Sequence, residues 1–82
     1  MIIKYFAWLK NFTNTEEERI DNKNITDVKT LKEILLKKYP ELSQYMKDDE
    51  FIRVAINLEY VTTNKTIDPK DEIALFPPVS GG

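Results

Sequence analysis

The first and last apolar segments of the chain have the pattern of β-strands. Residues 2–9 are rich in aromatic and branched side chains, as strands are. One parity of this segment carries the positions that we expect to face a core: Ile3, Tyr5, Ala7 and Leu9. The other parity includes a lysine, so we expect it to face outward and to bring Phe6 and Trp8 to the surface. Near the carboxyl end, residues 72–76 alternate in the same way, which puts Phe76 on the outward side.

Helical periodicity occupies the middle of the chain. Asp27, or Thr26, has the side chain of a helix N-cap. Pro40 ends the helix, because the residue before a proline is disfavoured in helical geometry. Between the cap and Pro40, apolar side chains recur at helical spacing: Val28, Leu31, Ile34, Leu35 and Tyr39. Lysines take the other side, which we interpret as a solvated helix face rather than a nucleic-acid patch. Beyond Pro40, we expect Leu42, Tyr45 and Met46 to fold back onto the core.

Shorter segments complete the predicted sheet. Residues 10–15 carry turn formers. Residues 16–21 are a charged second strand with Ile20 inward, and its glutamates suit an edge. Residues 51–57 alternate as a third strand with Ala55 facing outward, as Ala74 does on the last strand, and a turn leads to a short fourth strand at Tyr60. This order predicts an α+β domain with one main helix packed across a mixed sheet of about four to five strands. The first and last strands are the most apolar, so we expect them to pair centrally and in parallel, as in the β-grasp fold.

Length and composition limit what such a domain can do. The 82 residues, of which 41% are apolar, suffice for one small core. The net charge of −2 argues against a nucleic-acid partner held through its phosphates. The chain has no His and no Cys, which removes Cys/His zinc sites, thiol chemistry and His-dependent nucleophilic catalysis. We interpret Asp68, Asp71 and Glu72 as a turn and a strand start rather than a metal site. We therefore expect a cytoplasmic protein that binds no cofactor, metal, nucleic acid or membrane.

The last residues of the chain carry the candidate chemistry. Its only two glycines are Gly81 and Gly82, and two prolines stiffen the exit from the last strand. We therefore divide the chain into a domain of residues 1–78 and a flexible tail of residues 79–82. Without Cβ atoms, a Gly-Gly end can enter a narrow channel in another protein and present its carboxylate there. Terminal glycines are also common as merely flexible ends, but no turn elsewhere in this chain uses glycine.

Activation of that carboxylate opens two kinds of chemistry. Adenylation by ATP converts a carboxylate oxygen of Gly82 into a good leaving group. A sulfur nucleophile that displaces AMP gives a thiocarboxylate, whereas a lysine amine gives an isopeptide. Neither step requires a catalytic side chain on the carrier itself, which agrees with a chain that lacks His and Cys.

The chain resembles the MoaD/ThiS sulfur-carrier family, and most of all its molybdopterin synthase small-subunit branch. The resemblance extends over the whole length and includes Tyr5-Phe6-Ala7 in the first strand. Its most specific part is the final run Phe76-Pro77-Pro78-Val79-Ser80-Gly81-Gly82. Family members of the thiamine pathway share the two glycines but usually lack the Phe-Pro-Pro before them.

This resemblance implies a mechanism and a set of partners. An adenylating, E1-like enzyme would use ATP to activate the Gly82 carboxylate, and a sulfur donor would convert it to a thiocarboxylate. The tail would then enter the large subunit of molybdopterin synthase, within a heterotetramer, with Gly81 providing clearance in the channel. Sulfur would pass to the pterin precursor of the molybdenum cofactor. The catalytic side chains are expected on the large subunit, so this chain is a sulfur-donating subunit rather than an enzyme by itself.

An aromatic surface is the predicted contact with partners. Phe6 and Phe76 lie on outward parities of two strands that we expect to be neighbours, and Tyr60 is a third member. Exposed aromatic clusters on small proteins usually mark interfaces. The tail residues expected to extend this interface are Pro77, Pro78, Val79 and Ser80. Burial under a loop is the competing interpretation for the aromatic side chains.

Other functions remain compatible with the same sequence. The chain could be a sulfur carrier for thiamine synthesis or tRNA thiolation. It could be a ubiquitin-like protein modifier that is conjugated through Gly82. A toxin–antitoxin or scaffold module without chemistry is a further alternative, for which Gly82 would be dispensable.

Overall fold

A computed structural model describes residues 1–43 and 52–77 of the chain. Within these ranges, strands and two helices surround one core. The strands are β1 (Ile2–Tyr5), β2 (Glu17–Arg19), β3 (Arg53–Ile56), β4 (Glu59–Val61) and β5 (Glu72–Phe76). The helices are α1 (Lys10–Thr13) and α2 (Val28–Lys38), and 3₁₀ turns span Ala7–Leu9 and Pro40–Leu42.

The sheet is mixed, with the order β2-β1-β5-β3-β4. β1 and β5 run parallel at its centre, with Ile3 opposite Ile73 and Tyr5 opposite Leu75. The other neighbouring strands pair antiparallel. This topology confirms the predicted β-grasp fold, including the central parallel pair and the charged strand β2 at one edge.

Helix α2 begins and ends where the sequence predicts. The carboxylate of Asp27 accepts a hydrogen bond from the backbone N–H of Thr30 over 2.8 Å, which satisfies a donor that the first helical turn leaves free. Lysines occupy the last turn, where positive charge complements the helix dipole, and Pro40 follows within two residues. Leu31 and Leu35 are fully buried, so the predicted apolar stripe of α2 is the one that covers the sheet.

The core lies between α2 and one face of the sheet. Its largest fully buried side chains are Ile3, Leu9, Leu31, Leu35, Leu42, Ile52, Ile73 and Leu75. Leu42 folds back onto the core after the helix, as predicted. Tyr45 and Met46, for which the same was predicted, lie outside the described residues.

The first strand is shorter than the sequence predicts. β1 ends at Tyr5, and Ala7, expected to face the core, is exposed. Ala7 has a φ of 53°, in the left-handed region that breaks strand geometry. The chain then turns, with the Leu9 backbone N–H donating to the Phe6 carbonyl over 3.2 Å, and Leu9 still reaches the core. The predicted turn at residues 10–15 begins as the short helix α1.

The second face of the sheet is also partly covered. Ala55 and Ala74 were predicted to face outward, and on that face they are only 4% and 7% exposed. They lie opposite each other in the central strands, and the longer side chains of Tyr60 and Lys4 occupy the neighbouring register positions. A methyl group between longer side chains exposes little area, so an outward parity at these two positions does not bring exposure.

Candidate functional site

Three aromatic side chains form a cluster on the face of the sheet opposite α2. We call Phe6, Tyr60 and Phe76 the aromatic patch. The rings of Phe6 and Phe76 stack with centroids 4.6 Å apart and planes 14° apart. The ring of Tyr60 lies 5.7 Å from that of Phe76, tilted by 51°. Phe6 is 41% exposed and Tyr60 is 69% exposed, while Phe76 between them is half-buried.

The end of β1 positions Phe6. Its backbone N–H donates to the carbonyl of Leu75 over 3.1 Å, which extends the parallel pairing by one residue beyond Tyr5. Consecutive strand residues point to opposite faces, so Tyr5 enters the core and Phe6 faces outward. The left-handed conformation of Ala7 then directs the chain back toward the core. Phe6 is thereby held against Phe76 on a short, sharply turned segment.

The β3–β4 hairpin positions Tyr60. Asn57 and Leu58 form its turn with φ values of 51° and 71°, as a two-residue type I′ turn requires. The Asn57 side chain locks the turn to the start of β5: it donates to Asp71 over 2.9 Å and accepts from the Glu72 backbone N–H over 3.0 Å. Tyr60 then stands opposite Ala55 on the outward face.

Strand β5 ends at Phe76, within this patch. Pro77, which follows β5, is buried. Pro77 was predicted as an interface residue, and that role stays a prediction for this buried proline. The other predicted tail residues lie outside the described residues, so their roles stay predictions: Pro78, Val79, Ser80, Gly81 and Gly82.

Charged side chains border the patch on the same face. Lys4 and Glu72 form an ion pair with a distance of 3.2 Å between Nζ and Oε1. Arg53, which is exposed, stands opposite Phe76 in the β3–β5 register. The patch is thus an apolar centre with a polar border, the general anatomy of a protein interface.

A second aromatic cluster, which sequence analysis did not identify, lies on the helix side. Glu18 on β2 accepts hydrogen bonds from the hydroxyl of Tyr5 over 2.7 Å and from the hydroxyl of Tyr39, and it pairs with Lys38. We call these four residues the Glu18 cluster. One sequence signal for this cluster was available. Glu18 has the same strand parity as Ile20, which the pattern of residues 16–21 places inward.

Burial and hydrogen bonding shift the pKa values in the Glu18 cluster. Partial burial acts to raise the pKa of Glu18, but the hydrogen bonds it accepts outweigh burial and hold that pKa below its ordinary value. Burial, followed by the hydrogen bond to Glu18, raises the pKa of Tyr5 and that of Tyr39. The cluster is therefore stable with an ionised carboxylate and neutral phenols, as an anchor of the edge strand β2 requires.

The acidic residues near β5 stabilise a turn. The Asp68 backbone N–H donates to the carboxylate of Asp71 over 2.8 Å, and the Lys70 backbone N–H donates to that of Asp68 over 2.9 Å. Across residues 1–43 and 52–77, no group of three or more acidic, His or Cys side chains is arranged to hold a metal ion. In the same ranges, no helix combines the length and apolar character needed to cross a membrane.

The fold and the patch define a ubiquitin-like β-grasp protein, and comparison with known proteins gives the family. The model of the ThiS family matches residues 3–82. A Caenorhabditis briggsae protein named molybdopterin synthase sulfur carrier subunit is 30% identical over 82 residues, which are 98% of this chain and 94% of that protein. An Arabidopsis thaliana protein of the same name is 37% identical over 57 residues, which are 70% of this chain and 55% of that protein.

A solved structure shows the same fold. The crystal structure of small archaeal modifier protein 1 from Haloferax volcanii superposes with a TM-score of 0.80 at 32% identity, over 99% of this chain and 97% of that chain. The chain belongs to the ThiS family, because the family model covers nearly all of it and includes the two final glycines.

Proposed function

We propose that this chain is the sulfur-carrying small subunit of a molybdopterin synthase. The observation that carries the proposal is the family match, which runs through residue 82 and so includes Gly81 and Gly82. Two relatives of this chain are named molybdopterin synthase sulfur carrier subunits. The aromatic patch supports it, because an exposed apolar cluster beside the start of the tail is where a partner must bind to receive that tail.

The proposed chemistry takes place at the carboxylate of Gly82. A carboxylate oxygen attacks the α-phosphorus of ATP, and pyrophosphate leaves, so that an acyl-adenylate forms. Sulfide then attacks the carbonyl carbon and displaces AMP. If a persulfide attacks instead, a thiol afterwards reduces the resulting acyl persulfide. The product is a thiocarboxylate, which later gives up its sulfur to the pterin precursor and returns to a carboxylate by reaction with water.

The proposed chemistry requires partner proteins with distinct roles. An E1-like enzyme binds ATP and carries out the adenylation, and a sulfur donor supplies the nucleophile. The large subunit of the synthase holds the pterin and the catalytic side chains, in a cytoplasmic heterotetramer. Gly81 allows the tail to enter narrow channels in both partners because it has no Cβ.

Formation of the thiocarboxylate is the direct test. The untagged protein is incubated with an adenylating enzyme, ATP and sulfide, and its intact mass is measured before and after treatment with a thiol-alkylating reagent. We expect a mass gain equal to the replacement of one oxygen by sulfur, followed by alkylation. The chain has no Cys, so alkylation reports the terminus. A chain that gains no alkylatable sulfur would contradict the proposal.

A protein modifier is the second candidate function. The observation that favours it is the structural similarity to small archaeal modifier protein 1 at 32% identity. In this case the activated Gly82 carbonyl is attacked by a lysine amine, AMP leaves and an isopeptide bond forms. Proteomic detection of Gly-Gly remnants on lysines of other proteins, absent when Gly82 is deleted, would identify this function. A carrier for thiamine or tRNA thiolation would instead be captured with enzymes of those pathways.

A further inference from the structure

A groove separates α2 from the β3–β4 hairpin. Its volume is about 560 Å³. Apolar side chains line it from both sides: Val28, Leu36, Val54 and Val61. Tyr60 also contributes to the lining, so the groove adjoins the aromatic patch at the edge of the sheet.

Hydrogen bonds hold the two walls of this groove together at the start of the helix. The side chain of Asn64 accepts from the Lys29 backbone N–H over 2.9 Å and donates to the Asp27 carboxylate over 3.2 Å. The backbone N–H of Val28 donates to the Lys65 carbonyl over 3.0 Å. The groove is therefore formed before any ligand arrives, which lowers the entropic cost of binding.

The backbone of β4 provides one wall with hydrogen-bonding capacity. β4 is the last strand in the sheet order, so within the described residues no strand lies on its outer side. Ile56 and Glu59 flank the two-residue turn and form the pair that exchanges hydrogen bonds. Hydrogen-bonded and non-hydrogen-bonded pairs alternate, so Tyr60 directs its N–H and C=O away from β3. An extended peptide can pair with an edge of this kind.

The charge of the groove differs in sign from that of the whole chain. Its charged lining residues are Lys29, Lys32, Arg53 and Glu33. Cations thus predominate at this place on a chain whose net charge is −2. A segment with acidic side chains complements such a border, whereas a basic segment is repelled by it.

We propose that this groove binds an extended, acidic segment of a partner protein. The segment adds to β4 as a further strand and inserts alternate apolar side chains between α2 and the hairpin. This recognition uses neither the carboxylate of Gly82 nor the stacked rings of Phe6 and Phe76, and Tyr60 is the member of the aromatic patch that the two surfaces share.

A designed peptide pair tests the proposal on the full chain. The probe is a fluorescein-labelled peptide of about eight residues in which valine alternates with glutamate, so that the valines share one face of the strand. In the matched control peptide, lysine replaces every glutamate. Fluorescence anisotropy is expected to show that the glutamate peptide binds and that the lysine peptide does not. The affinity for the glutamate peptide should fall as salt is added.

Charge reversal locates the binding site. The double variant Lys29→Glu, Arg53→Glu should weaken binding of the glutamate peptide by about tenfold or more. The matched control is Lys37→Glu, which changes an exposed charge on α2 outside the groove and should leave the affinity unchanged. In the unsubstituted protein, the peptide should also slow hydrogen exchange at the Tyr60 amide, a readout that does not depend on whether the double variant folds.

Several results would overturn the proposal. The proposal fails if the glutamate peptide does not bind, or if Lys37→Glu weakens its binding as much as the double variant does. It also fails if the peptide leaves hydrogen exchange at the Tyr60 amide unchanged. Tighter peptide binding when Asp48, Asp49 and Glu50 become amides, or when residues 78–82 are deleted, would identify a segment of this chain as the occupant instead. Thiocarboxylate formation at Gly82 is measured separately, so failure of the groove proposal leaves the sulfur-carrier proposal standing.

Discussion

Tyr5 and Phe6 are consecutive residues, yet they belong to aromatic clusters of opposite character. Tyr5 is 3% exposed, meets Tyr39 edge to face at 5.9 Å and donates its hydroxyl to Glu18. Phe6 is 41% exposed and stacks on Phe76. The helix-side cluster satisfies its polar groups internally, as a stabilising element must. The outward cluster combines apolar rings with solvent exposure, which is characteristic of a surface that another protein completes.

The largest expected effect is a difference in folding stability between alanine variants of Tyr5 and Phe6. Tyr5→Ala should lower the free energy of unfolding by about 3–5 kcal/mol, because it truncates a buried aromatic residue. Phe6→Ala should lower it by only about 1 kcal/mol, the typical energy of an aromatic pair near the surface. Urea denaturation of both variants measures the difference. Equal losses would show that the outward cluster is part of the core and would break the comparison.

The next effect concerns binding. Phe76→Ala should weaken the complex with the large synthase subunit by about 2 kcal/mol, because a truncated aromatic residue at an interface centre commonly costs this much. Most of the unfolding free energy should be retained, since Phe76 is half-buried on the outward face. Calorimetric titration and denaturation on the same preparation measure both quantities. A large stability loss with unchanged affinity of the folded protein would assign Phe76 to the core.

The Glu18 cluster predicts a pH dependence of stability. The pKa of Glu18 is lowered in the folded protein, so its contribution is present above the ordinary glutamate pKa and is lost as the pH falls through the lowered value. Glu18→Gln keeps acceptors for the tyrosine hydroxyls but removes the charge. It should cost about 1–2 kcal/mol at neutral pH and less in acid. This role would be contradicted if the free energies of unfolding of the variant and the unsubstituted protein differed by the same amount at every pH.

The smallest effect concerns an exposed apolar residue outside the aromatic patch. Leu58 is 89% exposed and adopts a φ of 71°, which is unfavourable for a side chain with a Cβ. Leu58→Gly should therefore raise the free energy of unfolding by about 0.5–1 kcal/mol. Affinity for the large subunit should not change. A loss of affinity would extend the binding surface to this turn and would weaken the distinction between patch and surroundings.

Sequence patterns predict the parts of this fold that depend on periodicity. Helix α2, its cap at Asp27 and strand β5 lie where alternation and helical spacing place them. The outward position of Phe6 and Phe76 follows from parity, although their stacking depends on the parallel pairing of β1 with β5. The early end of β1 could not be predicted, because a left-handed alanine at position 7 has no sequence signal.

Tertiary contacts determine the features that the sequence did not predict. The burial of Ala55 depends on what lies beside it in the sheet, not on its own alternation. The Glu18 cluster joins residues of two strands with the end of α2, so only the folded register reveals it. The role of Gly82 is different in kind, because it was inferred from the chemistry of a Gly-Gly end and from the family motif, and only a chemical assay tests it.

The most direct test of the sulfur-carrier account is a comparison of the full chain with a variant that lacks Gly82. Both are treated with the adenylating enzyme, ATP and sulfide, mixed with the purified large subunit and assayed for sulfur transfer to the pterin precursor. We predict that the full chain transfers sulfur and that the variant transfers none, with equal free energies of unfolding. Sulfur transfer by the variant at the rate of the full chain would contradict the account.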